Sequence, residues 1–132
     1  PQYNHQVSKT EKKITGDKGE DLVAKLLEKR GHKIISRNFW KPWGEIDIIS
    51  EENGILHFTE VKTVTVKNDS GDFSAEDNVH KEKRGRLSKI VETYLENNHL
   101  LDRDFQIDVA AVTINQNTGD TKIEMIEDID LS

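Results

Sequence analysis

The sequence predicts one mixed α/β domain with a central mixed sheet of about five strands and flanking helices. The first observation is a pair of β-branched and aromatic runs on either side of Asn53-Gly54, a dipeptide typical of two-residue hairpin turns. The second is the helical spacing of apolar residues in one segment before this hairpin and in one after it. The resulting order is helix, three strands, helix, two strands, in which the second helix crosses over to the fourth strand.

Length and composition limit the possible classes of protein. A chain of 132 residues with 33% hydrophobic and 33% charged residues suits one domain. We expect this domain to span residues 14–127, between a flexible N-terminal arm at 1–13 and an acidic C-terminal tail at 128–132. The lack of cysteine excludes disulfides and thiolate zinc sites. Since the sequence shows neither an apolar run of membrane-span length nor a signal-peptide core, we expect a cytoplasmic protein without a membrane partner.

The first helix is expected to begin between Thr15 and Asp17 and to end near Arg30. Asp17 and Glu20 have the spacing of a capping box, and Gly31 is well placed to end the helix. Its apolar stripe consists of Leu22, Val23, Leu26 and Leu27. Glu20 lies at the margin of this stripe, and two interpretations stay open. It is either a carboxylate that favours the helix start through the macrodipole or a functional residue that leans towards the sheet.

The same periodicities predict the remaining elements. They are a first strand at 32–39, the central hairpin at 44–62, a long helix at about 75–98, and two last strands at 105–114 and 122–126. The loop at 67–77 is rich in turn formers, and loops in such positions often gate access to a site. In the long helix, Lys83 falls on the apolar face. There it either snorkels to solvent or points its ammonium at the sheet edge.

The central hairpin carries the candidate chemistry. If Asn53-Gly54 is the turn, Glu52 lies opposite Ile55, and counting outward puts Asp47 opposite Glu60 and Glu45 opposite Lys62. These charged residues share one face with Ile49 and Phe58, and the other face carries Ile46, Ile48, Thr59 and Val61. Opposed carboxylates destabilise a hairpin. The functional interpretation is therefore a divalent cation between the two acids, and the alternative is an exposed face whose charges keep the strand soluble.

Magnesium or manganese is the cation that this donor set favours, because hard divalent cations take oxygen ligands. The expected metal ligands are Asp47, Glu60 and the carbonyl of Val61. Lys62 would hold the attacking water and offset charge that develops on phosphorus. The histidines do not favour zinc, since His57 lies on the face opposite Asp47 and two of the others lie near helix ends.

An acid, followed about a dozen residues later by Glu-x-Lys on an adjacent strand, resembles the PD-(D/E)xK nuclease motif of the restriction-endonuclease-like superfamily. Asp47 and Glu60-Val61-Lys62 occupy its positions. The wider sequence resembles the YraN-like family of small bacterial proteins, to which endonuclease activity is attributed. Its GxxGE, GxxIxxRN, GEIDxI and FxEVK segments occur in this order within residues 16–63, and the likeness continues more loosely over 76–112.

This resemblance implies a restriction-endonuclease-like fold and similarity to Holliday-junction resolvases. It places Glu20 at the helix-borne catalytic acid of such resolvases, and Lys83 at the lysine of their second helix. The chain departs from the family pattern in two places. Val64 stands where the family usually has an arginine, and Gln106-Ile107-Asp108 replaces its common Arg-Phe-Asp. Both departures remove positive charge near the expected site.

Charge is unevenly distributed along the chain. The net charge of −6 argues against a general nucleic-acid binder, but residues 80–89 carry five basic side chains against one acid. The residues expected to contact DNA are Lys83, Arg84, Arg86 and Lys89.

We therefore expect a metal-dependent, structure-selective endonuclease that hydrolyses phosphodiesters of branched or single-stranded DNA. Its catalytic residues would be Asp47, Glu60, Lys62 and Glu20, and it would be a monomer or a homodimer. One alternative is a non-catalytic nuclease-fold module that binds nucleic acid or a DNA-repair protein. A second is a protein-interaction domain whose acidic tail engages a basic partner.

Overall fold

A computed structural model describes the backbone of residues 9–67 and 81–130 and the side chains of residues 11–67 and 86–130. The elements are α1 (Lys9–Lys29), β1 (Lys33–Lys41), β2 (Gly44–Glu52), β3 (Ile55–Val66), α2 (Lys81–Asn97), β4 (Phe105–Asn115) and β5 (Thr121–Ile126). This order confirms the predicted succession of one helix, three strands, one helix and two strands. The predicted gating loop and the first residues of the predicted long helix lie outside the described residues.

The five strands form one mixed sheet in the order β1-β2-β3-β4-β5. Neighbouring strands are antiparallel except β3 and β4, which are parallel over the full length from Leu56–Phe105 to Val66–Asn115. A parallel pair needs a long crossover, and α2 supplies it. The sheet and its two helices have the restriction-endonuclease-like architecture that the resemblance implies.

The two helices cover opposite faces of the sheet. On the α1 face, Val23, Ala24 and Leu27 pack against Ile48 and against the β4 residues Ala110, Val112 and Ile114. On the α2 face, Ile90, Val91, Tyr94 and Leu95 pack against Ile46, Ile49, Leu56, Phe58 and Ile107. Burial on both faces explains why the strands are rich in apolar residues on both sides. Neither helix of the described chain has the length and apolar character of a membrane span.

Helix α1 begins earlier than predicted. Its first residue is Lys9, so residues 9–13 are helical and do not belong to a flexible arm; the rest of the predicted arm lies outside the described residues. The C-terminal end follows the prediction, because Gly31 has a positive φ of 96°. The N–H groups of Gly31 and His32 bond the carbonyls of Glu28 and Leu27 at 3.0 and 2.9 Å, which is a Schellman motif. This motif delivers His32 to the start of β1.

The central hairpin has the predicted turn and register. Asn53 and Gly54 have φ values of 53° and 78°, as a type I′ turn requires, and the pairs run from Glu52–Ile55 to Ile48–Thr59. The pairs predicted beyond that point, Asp47–Glu60 and Glu45–Lys62, are not among the paired residues. The predicted face of Ile46 is wrong: Ile46 packs with Ile49 on the α2 face, although strict alternation would place two residues three apart on opposite faces.

The C-terminal segment is attached to the sheet. The N–H of Ile129 donates to the carbonyl of Ile107 at 2.8 Å, and the N–H of Asp128 donates to Oδ1 of Asp108 at 2.9 Å. Ile129 also packs against the core. Residues 128–130 therefore do not form the loose acidic tail that the sequence predicts.

Candidate active site

Asp47 and Glu60 line one small cavity on the α2 face of the sheet. Its volume is about 170 Å³, and its wall consists of Gly44, Glu45, Asp47 and Glu60 from the hairpin and Arg86, Leu87 and Ile90 from α2. The cavity lies where the pairing of β2 with β3 ends. Two sequence-predicted acids are thus brought together beside a basic residue of the second helix.

The carboxylate of Asp47 accepts a backbone hydrogen bond from β3. Its Oδ2 accepts a hydrogen bond of 2.7 Å from the backbone N–H of Val61, just beyond the last hairpin pair. This bond orients Asp47 towards the cavity. The contact that the structure shows for Val61 is thus made by its N–H, and the metal-ligand role expected of its carbonyl stays a prediction.

Burial and negative neighbours disfavour the charge of Asp47. The pKa of Asp47 is raised to about 8. Burial is the largest cause of this rise and the charge of Glu60 the second, and Glu20 and Glu45 add smaller effects. The hydrogen bond from Val61 lowers the pKa but is outweighed. Glu60 itself is only 9% exposed. A group whose neutral form is this strongly favoured in a small polar cavity is a candidate for a functional site.

Glu20 reaches the sheet and is held there by β1. Its side chain is buried, and Oε1 accepts a hydrogen bond from Nε of Arg37 at 3.2 Å, while Nη2 of Arg37 donates to Asp21 at 2.7 Å. Burial raises the pKa of Glu20 although Arg37 and Asn38 favour its charged form. Arg37 is a residue that sequence reasoning did not single out. The Arg-Asn pair of the GxxIxxRN segment is the signal that could have identified it.

Lys62 lies two residues beyond Glu60 on the same face of β3, because side chains alternate along a strand. The uninterrupted pairing of β3 with β4 aligns Glu60 with Val109 and Lys62 with Ala111, so no bulge reverses this relation. The Lys62 side chain is half-buried. Glu60 and Lys62 therefore share one face of β3, as the sequence predicts.

The basic segment of α2 borders this cavity. Arg86 forms part of its wall and is exposed, and Nζ of Lys89 lies 5.3 Å from the ring centroid of Trp43. The side chains of Lys83 and Arg84 lie outside the described residues, so their expected contacts with DNA stay predictions. Arg86 is thus the basic residue that the structure places directly beside the two acids.

A second polar cluster lies on the α1 face. His32, Glu52 and His57 approach one another closely enough for their ligand atoms to lie within 4.8 Å, and His57 is paired with the buried Asp108. The sequence predicts that the histidines do not favour zinc, and this stays a prediction, although the spacing of these three side chains is compatible with a metal ion. His57 lies on the sheet face opposite to that of Asp47, as predicted. There it contacts His32, a residue that sequence spacing could not place.

The mixed sheet, its parallel β3–β4 pair and the acids at the end of the central hairpin define the class as a restriction-endonuclease-like α/β protein. Comparison with known sequences then specifies the family. The chain matches the uncharacterised protein family UPF0102 over residues 19–112. It is 37% identical to a UPF0102 protein of Corynebacterium efficiens over 123 residues, which cover 92% of this chain and 96% of the relative.

Two further relatives carry the same family name. A UPF0102 protein of Campylobacter jejuni is 36% identical over 99 residues, which cover 75% of this chain and 83% of the relative. A UPF0102 protein of Wolinella succinogenes is 41% identical over 80 residues, which cover 61% and 68%. The chain therefore belongs to the UPF0102, or YraN-like, family.

Proposed function

We propose that this protein is a magnesium-dependent endonuclease that hydrolyses phosphodiester bonds of DNA. The observation that carries the proposal is the convergence of the Asp47 and Glu60 carboxylates in one cavity that Arg86 also lines. Like charges placed side by side oppose each other's ionisation, so a cation that binds between them best explains their arrangement. The resemblance of Asp47 and Glu60-Val61-Lys62 to the PD-(D/E)xK motif supports this assignment.

The donor set fits a hard divalent cation. Mg²⁺ in proteins is usually held by one or two carboxylates together with water and substrate phosphate, and Mn²⁺ accepts the same oxygen ligands. Asp47 and Glu60 would hold the ion.

The chain's own side chains have separate roles in this proposal. The bound ion supplies positive charge that stabilises the negative charge developing on the phosphoryl group. Lys62 orients the attacking water and donates hydrogen bonds to the phosphoryl oxygens. Glu20 is a positioning residue: Arg37 fixes its carboxylate, and its charge acts on Asp47.

The exposed side of α2 supplies the contacts with DNA. Arg86 stands in the cavity wall and Lys89 extends along the same helix, so both can neutralise phosphates next to the scissile bond. The preference for branched or single-stranded DNA is inferred from the similarity to Holliday-junction resolvases. Because the net charge of the chain is −6, we expect DNA binding to depend on this local basic surface. The affinity for DNA should then fall as the salt concentration rises.

The test is cleavage of a four-way junction, of single-stranded DNA and of duplex DNA in magnesium and in chelator. We expect cleavage in magnesium, and its loss in Asp47→Asn and Lys62→Ala proteins whose circular dichroism is unchanged. Lys25→Ala is the matched control, because Lys25 is an exposed lysine of α1 on the other side of the sheet. Undiminished nicking by Lys62→Ala protein would place the activity elsewhere.

The same assay separates the alternatives. Salt-dependent binding of the junction without cleavage in either Mg²⁺ or Mn²⁺ would identify a non-catalytic module that binds nucleic acid. A protein that neither binds nor cleaves any of the three DNA forms would instead be a protein-interaction domain.

A further inference from the structure

The cluster of His32, Glu52 and His57 joins three elements at one end of the sheet. His32 follows the Schellman motif of α1, Glu52 ends β2, and His57 lies on β3, where it pairs with Ser50. Ser50 and His57 share the α1 face with Ile48 and Thr59, because side chains alternate along a strand. The cluster therefore lies on the sheet face opposite the Asp47–Glu60 cavity.

The contact with Asp108 indicates which ring nitrogen of a neutral His57 carries the hydrogen. Nδ1 of His57 lies 2.8 Å from Oδ2 of Asp108, and Oδ1 of Asp108 accepts hydrogen bonds of 2.9 Å from the amide of Gln106 and the backbone N–H of Asp128. A carboxylate that already accepts two donors is best matched by a third donor, the Nδ1–H of His57. The Nε2 lone pair is then left for another ligand.

No described residue hydrogen-bonds to Nε2 of His57. The atom is buried and lacks a hydrogen-bond partner among the described residues, and its ring is only 5% exposed. A buried polar atom without a partner destabilises a folded protein. The Asp108–His57 pair also has the arrangement in which a carboxylate orients a metal-binding imidazole. Both observations point to a ligand at Nε2.

Glu52 completes the set of donors. Its Oε2 lies 3.7 Å from Nε2 of His32 and 3.9 Å from Nε2 of His57, while Nδ1 of His32 lies 2.9 Å from Oγ of Ser50. The distances to Oε2 are too long for hydrogen bonds. An ion with bonds of about 2.0–2.1 Å to nitrogen and oxygen would separate tetrahedral ligand atoms by about 3.3 Å. The ligand atoms of the cluster all lie within 4.8 Å of one another, so a contraction of this order, with the half-exposed Glu52 side chain as one movable part, would reach that spacing.

We propose that His32, Glu52 and His57 bind one divalent transition-metal ion of the zinc class. Two imidazole nitrogens and one carboxylate oxygen are a donor set that zinc favours, whereas magnesium prefers oxygen alone. Asp108 is a positioning residue that orients His57. With three protein ligands, such an ion would keep a fourth coordination position for water. The site is independent of the proposed nuclease activity, and it ties the end of α1 to the hairpin.

The test is calorimetric titration of the chelator-treated, full chain with Zn²⁺, repeated in excess Mg²⁺. We expect one zinc ion per chain, unaffected by magnesium. Glu52→Gln and His57→Ala should each weaken binding at least as much as the roughly 10–100-fold loss that removal of an outer partner causes. His99→Asn is the matched control, because His99 is exposed and has a positive φ of 58° that asparagine tolerates.

If His57→Ala fails to fold, Glu52→Gln decides the result, since Glu52 is partly exposed and lies next to the turn. Asp108→Asn should lower zinc affinity and change the ¹⁵N resonances of the His57 ring, which report its tautomer. No zinc binding by the wild type, or equal binding by wild type and Glu52→Gln, would overturn the proposal.

Discussion

Oδ2 of Asp47 accepts a hydrogen bond of 2.7 Å from the backbone N–H of Val61, where the pairing of β2 with β3 ends. The same carboxylate therefore completes the backbone hydrogen bonding of the hairpin and carries a charge that burial and Glu60 disfavour. Its two roles can be separated, because an asparagine keeps the acceptor oxygen and loses the charge.

Asp47→Asn should stabilise the metal-free protein. The pKa of Asp47 rises from 3.8 to about 8 on folding, so the folded state binds more protons than the unfolded state between these values. The contribution of Asp47 favours folding at low pH and becomes a penalty as pH rises from 3.8 through about 8. The gain on mutation should therefore be larger at pH 8 than at pH 5 and exceed about 1.4 kcal/mol, the equivalent of one pKa unit.

Thermal or urea unfolding in chelator at the two pH values measures this gain. Asp120→Asn is the control, since it removes the charge of an exposed aspartate. A lower melting temperature for Asp47→Asn than for wild type at the higher pH would show that Asp47 and Glu60 do not share a site.

Magnesium should stabilise the wild-type protein and do little for Asp47→Asn. A ligand at 100 times its Kd raises the free energy of unfolding by about 2.7 kcal/mol when it binds only the folded state. Because Asp47 must lose its proton to bind a cation, the affinity for magnesium should rise between pH 6 and pH 8. Melting curves at several magnesium concentrations test this, and equal shifts for both proteins would contradict it. Magnesium is a better probe of this site than manganese, because the cluster of His32, Glu52 and His57 is not expected to bind magnesium, which prefers oxygen ligands alone.

Gly19→Ala should destabilise the fold by roughly 1–3 kcal/mol, the usual effect of overpacking. A Cβ at Gly19 would overlap the hydroxyl of Thr63 on β3, where α1 approaches the sheet. Gly16→Ala is the matched control: among the described residues nothing lies within 4 Å of an added Cβ, so it should stabilise α1 by about 0.5–1 kcal/mol. Combining Gly19→Ala with Thr63→Ala should recover part of the loss. Equal unfolding free energies for the two single variants would refute the close approach.

Arg86→Glu should weaken DNA binding on all sequences alike. Arg86 is exposed in the cavity wall, and each phosphate contact on duplex DNA contributes about 0.9 to the slope of log affinity against log salt. The variant should show a slope smaller by about one contact. Lys25→Glu makes the same change in net charge on the α1 side and should leave the slope unchanged. A binding curve indifferent to both salt and Arg86→Glu would remove nucleic acid from the proposed function.

Much of the candidate site could be predicted from local rules. The Asn53-Gly54 turn demands positive φ at both positions, and the period of two then places the hairpin residues from Glu52–Ile55 to Ile48–Thr59 relative to it. This is why the relation of Glu60 to Lys62 and the pairing of Ile49 with Phe58 follow from counting. The helix stop at Gly31 is local in the same sense. The earlier start of α1 at Lys9 was missed because residues 9–13 have no apolar periodicity.

Only the tertiary structure decided which side chains meet across elements. Arg37 reaches Glu20 from another strand, and His32, His57 and Asp108 lie on a helix terminus and two strands that are far apart in the sequence. Their directions depend on sheet twist, on the crossover through α2 and on packing of both helices, which no short-range pattern encodes. The sequence determined that Glu60 and Lys62 share one face of β3, because backbone periodicity is local. The structure alone brought the histidines together, because their contact depends on how the whole sheet is assembled.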